Sequence, residues 1–120
     1  LRRFEQTPEA EDKNGRKVIW VKNLMIDMDG YSVTIDGKTI ELTKREVETL
    51  WILAKNSNKV FTRDNLLDSL WGIDYFGDSR TVDSHIKRLR KKLQTVPQDE
   101  WAIQTVWGLG YKFEIFGERN

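Results

Sequence analysis

The chain has 120 residues and no cysteine, which excludes disulfides, thiol catalysis and cysteine-type zinc sites and fits a reducing, cytoplasmic compartment. A single histidine excludes a multi-histidine metal centre, and no metal or cofactor is expected. Apolar residues make up 38%, charged residues 32%, and the net charge is +1, so one packed domain with short tails is expected and net charge alone names no partner.

A chain of this length buries roughly two-thirds of its unfolded surface, enough for one core without staples. No apolar run reaches the roughly 18 residues that span a bilayer, and no signal peptide is visible, so no membrane partner is expected. The chain begins at Leu1 without Met, which points to a piece of something longer.

Residues 1–17 are polar, contain Pro8, Asn14 and Gly15, and show no apolar period beyond Leu1 and Phe4. They read as a flexible linker. From Val18 the pattern turns to strands. Val18-Ile19-Trp20-Val21 is a short apolar run, followed by a turn at Lys22-Asn23. Leu24, Ile26 and Met28 alternate with polar or smaller residues, as do Tyr31, Val33 and Ile35, and then Ile40 and Leu42. Asp29-Gly30 and Asp36-Gly37 lie between these segments as two-residue hairpin signals. The pattern predicts an antiparallel meander of three or four strands, with one face buried and one wet.

Thr43 and Glu46 form a capping box for a helix with Val47, Leu50, Trp51 and Ala54 on its inner stripe, ending near Asn56-Ser57-Asn58. Lys59-Val60-Phe61 is a brief extended piece. Thr62 caps a second helix that turns Leu66, Leu67 and Leu70 inward and ends at Trp71. Gly72–Asp78 is a loop carrying Tyr75 and Phe76.

A third helix follows over residues 79–94. Val82, Ile86, Leu89 and Leu93 are spaced four, three and four apart. At 100° per residue they fall within roughly 60° of arc. Arg80, Ser84, Lys87, Arg88 and Lys91 lie opposite, with Asp83 and Arg90 on one edge and His85 and Lys92 on the other. The helix carries six basic residues against one acid, while the whole chain is only +1. A helix docked by one face and cationic on the other fits the DNA major groove. The plainer reading is a solvated surface helix.

Pro97 ends any helix running into the polar connection 94–100. Trp101 to Val106 reads as a strand, Trp107-Gly108-Leu109-Gly110 as a turn, and Tyr111, Phe113 and Ile115 alternate in the return strand. The order is sheet, three helices, hairpin: an α+β chain. Trp20, Trp51 and Trp101 are expected in the core.

A helix–loop–helix pair with a basic last helix and a hairpin behind it is a winged helix-turn-helix. The run from Arg80 to Leu93 resembles the recognition helix of the OmpR/PhoB subfamily of bacterial response regulators. Ile103 to Phe113 resembles its wing. Leu42-Thr43 with Glu46, and Leu66-Leu67 with Trp71-Gly72, match its first two helices. The resemblance runs from about Val18 to Phe116, making 18–116 the domain and 117–120 a tail, and Leu1-Arg2-Arg3 resembles the end of a preceding receiver domain.

The resemblance implies a transcription-controlling output domain that binds double-stranded DNA, usually at direct repeats. Its receiver would be phosphorylated by a cognate sensor histidine kinase and would drive dimerisation; the isolated domain would be a monomer. By position, Ser84 and Arg88 would approach base edges. Trp71, Arg80, His85, Lys87, Arg90, Thr105 and Tyr111 would contact phosphate, unless His85 covers the helix flank and Tyr111 lies in the core, and Thr81 would add a contact near the helix start. Trp107 and Gly108 form the wing tip. Many family members have an arginine where this chain has Trp107, and Trp107 cannot supply that charge: it packs at the tip, stacks on sugar or makes no contact. The loop 72–78 corresponds to the family's transactivation loop. Tyr75 and Phe76 would meet RNA polymerase there or fold onto the core.

An enzyme is not expected. Asp83, Ser84 and His85 have the letters of a hydrolase triad, but neighbours on a helix point about 100° apart and cannot form the relay. No phosphate loop of the Walker type is present, and Gly108 and Gly110 open no helix. A protein-binding winged helix would show apolar residues on the outer face, and an RNA binder stacking aromatics. The outer face here is Arg, Ser, Lys, Arg and Lys, which favours duplex DNA.

Overall fold

Four short strands form an antiparallel meander in the order β1 (Val18–Val21), β2 (Leu24–Asp27), β3 (Ser32–Ile35) and β4 (Lys38–Ile40). They belong to a computed structural model that describes residues 17–72 and 78–116. The linker apart from Lys17, the tail, and Tyr75 and Phe76 lie outside the described residues, so the polymerase-contact expectation does too.

The turns differ from one another. Asp36 (φ 54°) and Gly37 (φ 79°) both take positive φ, the two-residue turn that follows strand twist best. At Asp29-Gly30 the expected two-residue turn is instead a four-residue loop, residues 28–31. The Asp27 carboxylate accepts hydrogen bonds from the amides of Asp29 and Gly30, at 3.0 and 3.1 Å, and fixes the longer path.

The inner face of this sheet is Ile19, Val21, Leu24, Ile26, Val33, Ile35 and Ile40, all buried. Trp20 corrects the expectation for it: the side chain is 67% exposed. It alternates outward between Ile19 and Val21 and sits across from Met25 on the wet face.

Helix α1 (Lys44–Lys55) starts at the expected capping box, with Thr43 Oγ1 accepting from the Glu46 amide and Glu46 accepting from the Thr43 amide. It packs on β1, β2 and the last strand, β7 (Gly110–Ile115), and on the second helix, α2 (Arg63–Leu70), which Thr62 caps in the same way. The third helix, α3 (Arg80–Leu93), lies against α2. Val82, Ile86 and Leu89 are fully buried and Leu93 nearly so, which is the stripe its spacing predicts.

The C-terminal hairpin pairs β6 (Trp101–Val106) with β7 (Gly110–Ile115). The short strand β5 (Phe61–Thr62) adds to β7, making a three-stranded sheet β5-β7-β6. Gly110 makes that pairing possible: a Cβ there would lie 2.0 Å from the Phe61 carbonyl oxygen. Trp101 stacks on Phe113, and its indole N–H donates to Asn23 at 2.7 Å, joining the hairpin to the first sheet. Trp101 and Trp51 are core residues, as expected.

Candidate nucleic-acid interface

Helix α3 presents Arg80, Ser84, Lys87, Arg88 and Lys91 to solvent, all exposed. Among the described residues, Lys87, Arg88 and Lys91 have no ion-pair partner. Arg80 reaches back to Asp78, with Nη2 2.9 Å from the carboxylate, and its side chain is 84% exposed. Asp78 also accepts from the Arg80 amide at 2.9 Å, closing the first turn where Ser79 supplies no side-chain cap. That amide and the Arg80 guanidinium hold the Asp78 carboxyl below the ordinary range.

One flank of α3 is fastened to α1. Glu46 is 2% exposed, and its Oε1 accepts from Lys92 Nζ at 2.8 Å while also capping Thr43. Burial pushes its carboxyl up, but the Lys92 ammonium and the Thr43 amide outweigh burial and hold it below the usual value. His85, on the same flank, has Nε2 2.8 Å from Thr49 Oγ1. The Thr49 hydroxyl gives its own hydrogen to the Arg45 carbonyl, so Nε2 carries the proton and donates. Burial pushes the imidazole pKa down. His85, expected at phosphate or over the helix flank, is 4% exposed, a buried joint between α3 and α1, with Trp71 edge-on at 5.2 Å between ring centroids.

The other flank is fastened to α2 and the hairpin. Asp83 takes Arg63 Nε at 2.7 Å and the Tyr111 hydroxyl at 2.5 Å. Burial raises the Asp83 carboxyl, and these two donors more than reverse that. Tyr111, expected at a phosphate or in the core, is 5% exposed, with its ring in the core and its hydroxyl committed to Asp83. Burial first, then the carboxylate, raises its pKa. Arg90 Nη1 donates to the Ile103 carbonyl and to Thr105 Oγ1, at 3.1 and 3.0 Å, and the guanidinium lies 5.7 Å from the Tyr111 ring centroid. Arg90, Thr105 and Tyr111 thus meet as one joint, leaving Arg90 further N–H donors beyond Nη1.

Trp107 stands at the hairpin tip, 89% exposed, beside Gly108 (φ 80°) and the exposed Leu109. It does not pack on the hairpin. Trp71 and Thr81 are half-buried. Arg63 and Thr49 drew no attention in the sequence. Their partners lie 20 and 36 positions away, beyond any local pattern.

A basic, docked helix with a hairpin beside it is the arrangement of a transcriptional output domain, and a family model described as "Transcriptional regulatory protein, C terminal" matches residues 37–113. The chain belongs to this family. It is of the OmpR/PhoB type, a winged helix-turn-helix. It is 48% identical over 117 residues to the transcriptional regulatory protein SrrA of Staphylococcus aureus (strain NCTC 8325 / PS 47), covering 96% of this chain and 48% of that protein. The chain spans about half the length of the curated relatives it matches.

Response regulator DrrB, a Thermotoga maritima OmpR/PhoB homolog, superposes with a TM-score of 0.70 at 40% identity, over 81% of this chain and 44% of that one. The Klebsiella pneumoniae RstA DNA-binding domain, solved in complex with the RstA box, gives 0.69 at 38% identity over 82% and 97%. The family is one of transcriptional regulators rather than a known class of enzyme. Among the described residues no helix is long and apolar enough to cross a membrane.

Proposed function

We propose that this chain is the double-stranded DNA-binding output domain of a two-component response regulator, with the outer face of α3 in the major groove. The observation that carries the reading is the exposed row Arg80, Ser84, Lys87, Arg88 and Lys91 on a helix whose other sides are fixed. Arg88 pairs with a guanine edge, and Ser84 approaches bases beside it. Arg80, Thr81, Lys87, Trp71, and Arg90 with Thr105 hold phosphate and set the register. His85 and Tyr111 act through the residues they fix. The hairpin is the wing, its tip at Trp107 and Gly108 beside the backbone or minor groove.

A receiver on the longer protein, phosphorylated by a sensor kinase, brings two such domains to a direct repeat, and the 72–78 loop is the surface offered to RNA polymerase. Cytoplasmic placement follows from that role.

Selection from a random-sequence duplex library at two salt concentrations tests this. Enrichment of a motif is expected, with Arg88→Ala relaxing one base position by about 1–3 kcal/mol. Uniform binding that vanishes at moderate salt would reduce α3 to a basic surface and sink the base-reading role.

A further inference from the structure

A helix seated in the major groove has a DNA backbone running along each of its flanks, because groove and helix are both about 12 Å across. On the Asp83 flank of α3, Arg90 sits at the wing joint. On the His85 flank, burial disfavours charging of the imidazole, and Lys92 is tied to Glu46. With Arg88, the nearest outer-face cation, turned to a base edge, the strand bordering that flank would lack a free cation if α3 alone supplied one.

Arg45 of α1 lies there. Its carbonyl accepts from Thr49, whose hydroxyl meets His85. Its guanidinium lies 4.8 Å from the Trp71 ring centroid, and Trp71 meets His85 edge-on. Guanidinium, indole and imidazole form a ladder across α1, the end of α2, and α3. Arg45 is exposed, and no carboxylate among the described residues pairs with it. It also stands in the first turn of α1 beside Lys44, where the helix dipole disfavours cations. Local helix stability therefore does not explain it. The cation–π contact holds the guanidinium over the ring, while its N–H donors remain available to an anion.

We infer that Arg45 is a further phosphate-binding residue, holding the DNA strand that borders the His85 flank of α3, with Trp71 setting its orientation. This rests on the reading of α3 as the major-groove helix. The site is not on the recognition helix, so it adds affinity without adding sequence preference.

The test measures binding of wild type, Arg45→Ala, Arg45→Lys, Arg80→Ala and Lys55→Ala to a library-enriched duplex and to an unrelated duplex across a salt series. Lys55 is the matched control: an exposed cation at the far end of the same helix, 5.9 Å from the Trp51 ring centroid. Arg45→Ala should weaken both duplexes by the same factor, roughly threefold to tenfold at low salt, and lower the slope of log K against log salt by about 1. Arg45→Lys should keep the slope and lose part of the affinity. Lys55→Ala should match wild type.

The inference is overturned if Arg45→Ala keeps the wild-type slope while Arg80→Ala lowers it. It is also overturned if Arg45→Ala changes the preference between the two duplexes, which would mean base contact or a displaced α3. Failure of the major-groove reading itself looks different: the wild-type chain would then fail to prefer the enriched duplex.

Discussion

The outer face of α3 and its two flanks draw on the same residue types. On the outer face Lys87, Arg88 and Lys91 stand in water. On the flanks Lys92 is bonded to buried Glu46, Arg90 to the wing, and Asp83 to Arg63 and Tyr111. Lys92 and Asp83 spend their charge on architecture, Arg90 keeps donors beyond those the wing takes, and the outer-face cations are left whole for a ligand. The distinction is one of angle: Lys91 and Lys92 are neighbours in the chain, yet about 100° on the helix wheel sends one outward and one to α1. A count of basic residues on α3 therefore overstates the charge offered to DNA.

The largest disturbance is to the inner stripe on which both depend. Leu89→Ala removes a fully buried side chain and should destabilise the domain by about 2–5 kcal/mol in urea unfolding. Next comes Lys92→Gln, which strips the buried Glu46 carboxylate of its cation. Since Lys92 is itself 39% exposed, the expected loss is smaller, about 1–3 kcal/mol, read as a lowered unfolding midpoint.

A smaller effect comes from pH. The folded His85 imidazole has a lowered pKa, so the unfolded chain takes up the proton first, at its ordinary value of 6.5. The neutral imidazole's contribution is fully present above that value and is lost as pH falls through it toward the lowered folded value. The thermal midpoint should therefore drop between about pH 7 and pH 5, and His85→Gln should flatten that segment.

Much of this was legible in the sequence. The α3 stripe, the Thr43–Glu46 capping box, the Thr62 cap and the wing hairpin follow from spacing and turn residues that act locally. Trp20 was not, because in Val18-Ile19-Trp20-Val21 a continuous apolar run hides which residue points outward. The extended piece ending at Phe61 was, but its pairing as strand β5 was not, because its partner, Tyr111, lies 50 positions on. His85 and Tyr111 match the family's phosphate contacts by position. Their burial depends on Thr49 and Asp83, which only the tertiary structure brings near. Arg45 was invisible for the same reason: its significance lies in the ring it covers.

The division between face and flank is tested most directly by Lys87→Gln and Lys92→Gln, measured side by side for salt dependence of duplex binding and for thermal stability. Lys87→Gln should lower the salt slope by about 1 and leave the midpoint unchanged. Lys92→Gln should lower the midpoint and leave the slope near wild type. Equal slope losses in both variants, with neither midpoint moved, would contradict the account.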